Sequence, residues 1–108
     1  MPLAWKVKEE ERMSVMVIIN FQAAEGKAEA LLPLLQEGRE LSRNAEGCEG
    51  FDFYQRQDDP HKFVFLERWT SLEAHHANMA NNIVATGHLA KLMPILSGPI
   101  DNGVLRAV

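Results

Sequence analysis

The sequence contains a single cysteine, Cys48, so it cannot form a disulfide within the chain. It also lacks a long hydrophobic run: the longest, Val15 to Ile19, is far shorter than the roughly 20 apolar residues of a membrane-spanning helix. Lysine and arginine form no cluster, and the net charge is -4, so the sequence indicates no basic surface that could bind nucleic acid. We therefore expect a soluble domain with no membrane or nucleic-acid partner.

Residues 1–13 include Trp5 and a Lys/Glu/Arg run but no apolar segment of the secretory kind, so a cytoplasmic location is expected. This stretch has no clear hydrophobic periodicity, and we predict that it is a mobile N-terminal arm. The 108 residues include 46% hydrophobic and 24% charged residues, which is typical of a globular chain. We expect residues 14–108 to form one domain with one modest core.

The segment Ser14 to Ala23 is rich in β-branched residues and apolar on both alternating faces, which is typical of a central strand. Val15, Val17, Ile19 and Phe21 face one way, and Met16, Ile18 and Asn20 face the other. Asn20 is therefore a polar group within an apolar face.

A helix is predicted from Gly26 to about Asn44, because leucine and alanine recur there at amphipathic spacing. Pro33 lies inside this pattern and predicts either a late helix start or a kink. The helix should stop at Asn44-Ala-Glu-Gly47, where the glycine can adopt the left-handed cap conformation.

Two apolar runs, Cys48 to Gln57 and Lys62 to Trp69, flank the sequence Asp58-Asp59-Pro60-His61 and predict a β-hairpin. On the second strand, one face carries Phe63, Phe65, Glu67 and Trp69.

The sequence Thr70-Ser71-Leu72-Glu73 fits a capping box at the start of a second helix. Leu72, His75, His76 and Met79 fall on one stripe of that helix, with Asn78 beside His75. Asn81-Asn82 should interrupt it, and a short helical piece should follow from Thr86 to Leu96. A last strand is expected from Asp101 to Val108.

This order of elements predicts an α+β, ferredoxin-like βαββαβ fold with an antiparallel four-stranded sheet. Helices on one face leave the other face in need of cover, and that face is expected to carry Val15, Val17, Ile19, Val64 and Leu66. A second subunit is the simplest cover, so a two-fold homodimer is expected.

Several motifs resemble the antibiotic biosynthesis monooxygenase family, which includes quinol monooxygenases. They are Glu46-Gly47-Cys48-Glu49-Gly50-Phe51, Phe63-Val-Phe-Leu-Glu-Arg-Trp69, Ser71-Leu-Glu-Ala74 and Leu96-Ser-Gly98-Pro99. The resemblance covers residues 14–108 and implies a dimeric α/β barrel. Members include cofactor-independent oxygenases of quinols and polyketide phenols, haem-degrading enzymes and enzymes that process signal molecules, so the resemblance transfers fold better than substrate.

The haem-degrading relatives use an Asn on the first strand, a Trp that ends the third, and a His on the next helix. Asn20 and Trp69 match the first two. Where many members have the His, this chain has Asn78, with His75 and His76 slightly earlier. The stretch 81–85 resembles an insertion, and His88 resembles the His of the Pro-His-Phe motif that follows in the family.

The candidate catalytic residues are Asn20, Trp69, His75 and His76. The candidate substrate-binding residues are Phe51, Phe53, Phe63, Phe65, Asn78, Met79 and His88. The phenylalanines and Trp69 could line an apolar pocket for a flat aromatic ligand, and a His could take its hydroxyl proton. The amides and the indole N–H could stabilise the resulting anion.

Each candidate also has a structural interpretation: Trp69 as a core residue, Asn20 as a buried amide with its partners, and the histidines as surface residues. No metal site is expected, since HExxH and paired-Cys spacings do not occur and adjacent histidines project about 100° apart on a helix. Cys48 has no neighbour that would activate it as a nucleophile.

The leading hypothesis is an oxygenase that oxidises a quinol-like or polycyclic phenolic molecule with O2 and without a cofactor. Two alternatives remain: a haem-binding, haem-degrading monooxygenase, and a non-catalytic dimeric barrel that binds a small ligand or responds to stress.

Overall fold

The computed structural model describes residues 14–108, so the predicted N-terminal arm, residues 1–13, lies outside the described part. Four strands form one antiparallel sheet in the spatial order β2-β3-β1-β4. The strands are β1 (Val15–Gln22), β2 (Cys48–Gln55), β3 (Lys62–Trp69) and β4 (Asp101–Leu105). The ferredoxin-like fold and the β2–β3 hairpin are confirmed.

The helices lie between the strands in the predicted places. They are α1 (Ala28–Arg43), α2 (Leu72–Asn78), a π-helical segment (Met79–Val84), α3 (His88–Leu92) and a 3-10 turn (Met93–Ile95). No helix among residues 14–108 is both long enough and apolar enough to cross a membrane.

The core lies between the helices and one face of the sheet. Antiparallel pairing sets Ile19 of β1 opposite Phe65 of β3, so both side chains point to the same face. From α1, Leu31 and Leu35 pack against this face and are fully buried. Alternation along β1 and β3 thus determines which side chains form the core.

The predicted composition of the open sheet face is wrong for three residues. Val15, Val17 and Ile19 lie on the helix side of the sheet. Val17 and Ile19 are buried in the core. Because Ile18 pairs with Leu66, the open face instead carries Met16 and Ile18 beside Val64 and Leu66. Directly paired residues share a face, so odd positions of β1 cannot lie beside even positions of β3.

The first helix does not start late, and its end agrees with the predicted end at about Asn44. It begins at Ala28 and continues through Pro33, where only one backbone hydrogen bond is lost while the buried leucines hold the helix against the sheet. It ends at Arg43 with Asn44 as its cap. Gly47 does have a left-handed φ of 86°, but it forms the entry to β2.

The second helix also begins one residue later than the capping box predicted. Ser71 is the N-cap, and its hydroxyl accepts a hydrogen bond from the Ala74 N–H at 3.1 Å. Asn81-Asn82 do not interrupt the helical path, because the chain continues through a π-helical turn in which the Ala85 N–H donates to the Ala80 carbonyl at 3.0 Å. Such turns absorb extra residues within a helix.

The remaining differences are at element ends. The second strand ends at Gln55 and the fourth at Leu105, each earlier than predicted. The predicted helical piece from Thr86 begins at His88, after Gly87 in a left-handed conformation.

Candidate active site beneath the helices

A cavity of about 200 Å³ lies between the helix-facing side of the sheet and the helices. Most of its walls are apolar, and a few polar side chains reach it. Its lining consists of Ile19, Phe21, Gly38, Ser42, Phe51, Phe65, Glu67, Asn78, Met79, Ile83, His88, Leu89, Leu92, Ile100 and Asn102. An apolar chamber with a few polar groups is the usual form of a small-molecule site.

Glu67 is a carboxylate in the apolar face of β3, and only 2% of it is exposed. Its Oε1 accepts a hydrogen bond from the Trp69 indole Nε1–H at 2.9 Å. The same oxygen lies 3.5 Å from Nδ1 of His75, which is also buried. The three side chains form one cluster, in which Glu67 is the member that lines the cavity.

Trp69 and His75 stabilise the buried carboxylate in the apolar layer. A buried carboxylate is costly unless donors and an opposite charge accompany it. The indole supplies a donor, and His75 forms an ion pair with Glu67 whenever its ring is protonated. Glu67 can therefore receive a proton from a molecule in the cavity, with His75 directly behind it.

A second polar group in the cavity is the amide of Asn78. Its Nδ2 donates to Ser42 Oγ of α1 at 3.0 Å, and its Oδ1 accepts from Asn82 Nδ2 at 2.8 Å. These bonds fix the orientation of the amide. Since an amide NH2 group has two N–H donors, one remains for a ligand.

The third polar group is His88 at the start of α3. It is 2% exposed, and its ring packs against α1, where a Cβ at Gly38 would lie 2.9 Å from Nε2. Burial lowers the pKa of His88 below its ordinary value of 6.5, while the Glu37 carboxylate, 3.9 Å from Nδ1, opposes this effect. The ring is therefore mostly neutral at pH 7, and His88 forms part of the cavity wall while its nitrogens face α1.

The structure brings five of the predicted site residues to the cavity wall: Phe51, Phe65, Asn78, Met79 and His88. Phe53 and Phe63 lie next to this wall without lining it. Phe53 packs against Phe65 at 5.3 Å and against Phe63 at 5.9 Å between ring centroids.

Two of the predicted catalytic residues lie behind the wall. Trp69 is fully buried and His75 is 7% exposed, and both reach the cavity only through Glu67. Their rings are 5.8 Å apart.

The other two predicted catalytic residues lie outside the cavity. His76 is exposed, because consecutive residues project about 100° apart on a helix and His75 takes the inward direction. Asn20 is exposed on the open face of the sheet, where its amide nitrogen is 3.5 Å from the Asp101 carboxylate. Its even position on β1 directs it away from the helices.

Sequence reasoning missed Glu67 and Ser42 as site residues. Both have a signal in the sequence: Glu67 shares the face of Phe65 and Trp69, and Ser42 follows Leu35 by seven residues on the buried stripe of α1. A polar residue at a position whose periodicity predicts burial marks a candidate site.

No group of three or more potential metal-ligating side chains occurs within the described range 14–108. Cys48 lies outside the cavity, and burial raises the pKa of its thiol. A raised pKa leaves less of the reactive thiolate at neutral pH.

Comparison with known proteins gives one family match. Residues 14–88 match the model of the family described as antibiotic biosynthesis monooxygenase. No curated protein matches significantly.

Solved structures of similar fold are numerous. Rv0793 from Mycobacterium tuberculosis is 25% identical, with a TM-score of 0.77, and the match covers 88% of this chain and 95% of that one. PA3566 from Pseudomonas aeruginosa is 23% identical, with a TM-score of 0.77 and coverage of 91% and 97%. A variant of SnoaB, a cofactor-independent oxygenase from Streptomyces nogalater, is 15% identical, with a TM-score of 0.75 and coverage of 88% and 93%.

Proposed function

The chain belongs to the antibiotic biosynthesis monooxygenase family, and from this premise we propose that it oxidises a small quinol-like molecule with O2 in the cavity beneath the helices. The observation that carries the proposal is Glu67, a buried carboxylate at the wall of an otherwise apolar chamber. The oxygenase described for the SnoaB structure acts without a cofactor. We extend that property to this chain as part of the proposal.

The size and lining of the cavity favour a small, flat aromatic molecule. Phe51 and Phe65 offer ring edges and faces on the sheet side, and Leu89 and Leu92 cover the opposite side. Pockets for drug-sized ligands measure roughly 300 to 1,000 Å³, so about 200 Å³ suits one or two fused rings better than a haem. The cavity therefore disfavours the haem alternative.

In the first step, Glu67 removes the proton of a substrate hydroxyl. His75, whose Nδ1 lies 3.5 Å from Glu67 Oε1, can accept that proton in turn or, when its ring is protonated, form an ion pair with the carboxylate. The remaining N–H of Asn78 can donate to the substrate oxygen as negative charge develops on it. The resulting anion is the electron-rich species that reacts with O2.

In the second step, O2 reacts with a ring carbon of the anion. One oxygen atom is retained on that carbon and the other leaves as water, so a quinol and O2 give a hydroxyquinone and water. The ring supplies all four electrons that reduce the two oxygen atoms. The balance therefore needs no external reductant.

The experiment is oxygen uptake with a panel of quinols, comparing the native chain with Glu67→Gln. Glutamine retains a carbonyl oxygen that can accept from Trp69 but cannot take a proton. Loss of a general base lowers kcat by roughly a hundredfold to ten-thousandfold, and we expect a loss in this range with a small change in KM.

The matched control is Glu73→Gln, which makes the same chemical change at an exposed position of α2. It should retain native uptake. Full activity in Glu67→Gln would contradict the role of Glu67, and no uptake by the native chain with any quinol would favour a binding protein. A strong visible absorption band after addition of haem would favour the haem-degrading alternative.

We also propose that the chain works as a homodimer through the open face of the sheet. Met16, Ile18, Val64 and Leu66 form an apolar strip there, and no helix of the described chain covers it. Leu105, 45% exposed, extends the strip at the β4 edge. A second copy with the same strip would cover it by two-fold symmetry.

A further inference from the structure

Glu67 needs a route by which to release the proton that it takes from the substrate. A carboxyl group that stays protonated cannot act as a base in the next turnover. Only 2% of its side chain is exposed, so bulk water has almost no access to it. The proton must therefore leave through a neighbouring group that can accept it.

Three neighbours of Glu67 differ in their capacity to accept a proton. The indole of Trp69 donates its N–H to Oε1 at 2.9 Å and has no acceptor atom. Burial raises the pKa of the Cys48 thiol, and the charge of Glu67 raises it further, so this thiol stays protonated at neutral pH. His75 Nδ1 lies 3.5 Å from Oε1, and a neutral imidazole nitrogen can accept a proton. Contacts of this kind are often long before the substrate binds and shorten during the reaction.

His75 also extends from the carboxylate to the surface of the protein. Its side chain is 9% exposed, compared with 2% for Glu67. Because Nδ1 is among the buried atoms, the exposed part of this side chain lies away from Nδ1. The ring thus connects the buried carboxylate on one side to water on the other.

His76 continues this connection into the solvent. It is exposed, and its ring centroid lies 5.6 Å from that of His75. Imidazole groups exchange protons with water readily near neutral pH. His76 lies outside the cavity, but it stands beside the residue that contacts Glu67 and is accessible to any base in solution.

We propose that His75 and His76 form a proton exit from Glu67 to the solvent, in addition to the positioning role of His75. This inference rests on the proposed function, in which Glu67 is the base. In each turnover the Glu67 carboxyl group gives its proton to Nδ1 of His75, and the imidazolium then releases a proton from Nε2 to His76 or to water. One proton enters the ring and one leaves it, no electron is transferred, and Glu67 is again a carboxylate.

The experiment measures oxygen uptake with the quinol panel in dilute buffer, comparing the native chain with His75→Ala. The value of kcat should fall by about tenfold to a hundredfold, which is less than the loss expected when the base itself is removed. KM should change little, because His75 does not line the cavity. Imidazole added to the solution should restore most of the lost rate. Pyrazole, which has the same shape but is a much weaker base, should not restore it.

Three further variants make the result specific. His76→Ala should lower kcat in dilute buffer and reach the native rate in concentrated buffer, which replaces the exposed ring as proton acceptor. His61→Ala removes a histidine from the β2–β3 connection and should match the native chain in both buffers. If His75→Ala does not fold, as judged by its thermal unfolding, His75→Gln decides. A loss of kcat in His75→Gln that shrinks in concentrated buffer supports the exit, and a loss that is the same in both buffers overturns it.

The outcomes separate this inference from the proposed function. No oxygen uptake by the native chain overturns both. Uptake by the native chain together with full activity of His75→Ala, or with equal rescue by imidazole and pyrazole, overturns the proton exit alone. Failure of imidazole to rescue His75→Ala also overturns it, because the role of His75 would then be structural. A native rate of His76→Ala in dilute buffer overturns the role of His76.

Discussion

At the level of single residues, the candidate site is organised around the buried carboxylate of Glu67. Trp69 and His75 were predicted as catalytic residues, yet neither lines the cavity, and both contact it only through this carboxylate. Trp69 donates a hydrogen bond to it, and a bond to a charged group is worth roughly 1.5 to 3 kcal/mol. We therefore regard Trp69 and His75 as positioning residues and Glu67 as the catalytic residue of the proposed reaction.

The protonation of His88 predicts how stability depends on pH. Burial lowers its pKa in the folded chain below 6.5, so the unfolded chain binds this proton more readily. The stabilisation by the neutral ring is fully present above pH 6.5 and is lost as the pH falls toward the folded pKa. The slope can reach about 1.4 kcal/mol per pH unit at most.

Urea unfolding of the native chain and of His88→Gln, measured between pH 5 and 8, tests this prediction. The difference in unfolding free energy between them should shrink as the pH falls below 6.5. His61→Gln, a change at a more exposed histidine, is the control. A constant difference across the whole range would show that His88 titrates normally.

Part of the site could be predicted at this scale. Alternation along β3 is enough to identify Phe65, Glu67 and Trp69 as inward residues from the sequence. The resemblance to relatives, in contrast, pointed to Asn20 but did not give the face of the sheet on which its side chain lies. In the structure that side chain lies on the open face. Which of two adjacent histidines turns inward depends on the rotation of α2, and the sequence of the helix alone does not set that rotation.

At the level of elements, local signals predicted which segments form strands and helices better than where each element ends. The bounds of β3, Lys62–Trp69, are as predicted, because turn residues precede the strand and a helix start follows it. The helix after it was placed one residue early, because Thr70 and Ser71 have equivalent hydroxyls. Only the path of the chain determines which hydroxyl reaches the free N–H groups.

The N-cap of α2 gives a prediction at this scale. Ser71→Ala removes the hydrogen bond to the Ala74 N–H and should lower the unfolding free energy by about 1 kcal/mol. Thr70→Ala is the matched control, since Thr70 is exposed and does not cap the helix. It should change stability by less than about 0.5 kcal/mol. Equal losses in the two variants, measured by urea unfolding, would contradict the cap assignment.

The π-helical segment shows what local patterns could not predict. Asn81 and Asn82 favour a break by composition. In the structure the chain instead keeps a helical path, with Asn82 bonded to Asn78 and Ile83 buried at the cavity. Tertiary burial of Ile83 and the bond to Asn78 outweigh the local preference for a break.

At the level of the whole molecule, the order of elements was sufficient to predict the sheet, but not which face is open. The prediction combined odd positions of β1 with even positions of β3, and the antiparallel register excludes that combination. The corrected strip retains the apolar character that motivated the dimer. The proposal of a homodimer therefore now rests on Ile18 and Leu66 at its centre.

A charge in this strip should separate the subunits. Leu66→Lys places an ammonium group where the partner would pack, and burying an unpaired charge is strongly unfavourable. Sedimentation should show a native particle of twice the chain mass and a variant of one chain mass at micromolar concentration. Gln57→Lys, in the exposed β2–β3 connection, is the control and should remain dimeric. A monomeric native chain would refute the proposed assembly.

The central claim is that this molecule inserts one atom of O2 into a small hydroxyaromatic molecule at Glu67. The most direct measurement is mass spectrometry of the product formed from naphthohydroquinone under oxygen gas labelled with the heavy isotope. We predict one labelled oxygen atom per product molecule with the native chain and almost no labelled product with Glu67→Gln. Product without label, or the same yield of labelled product from both proteins, would contradict the claim.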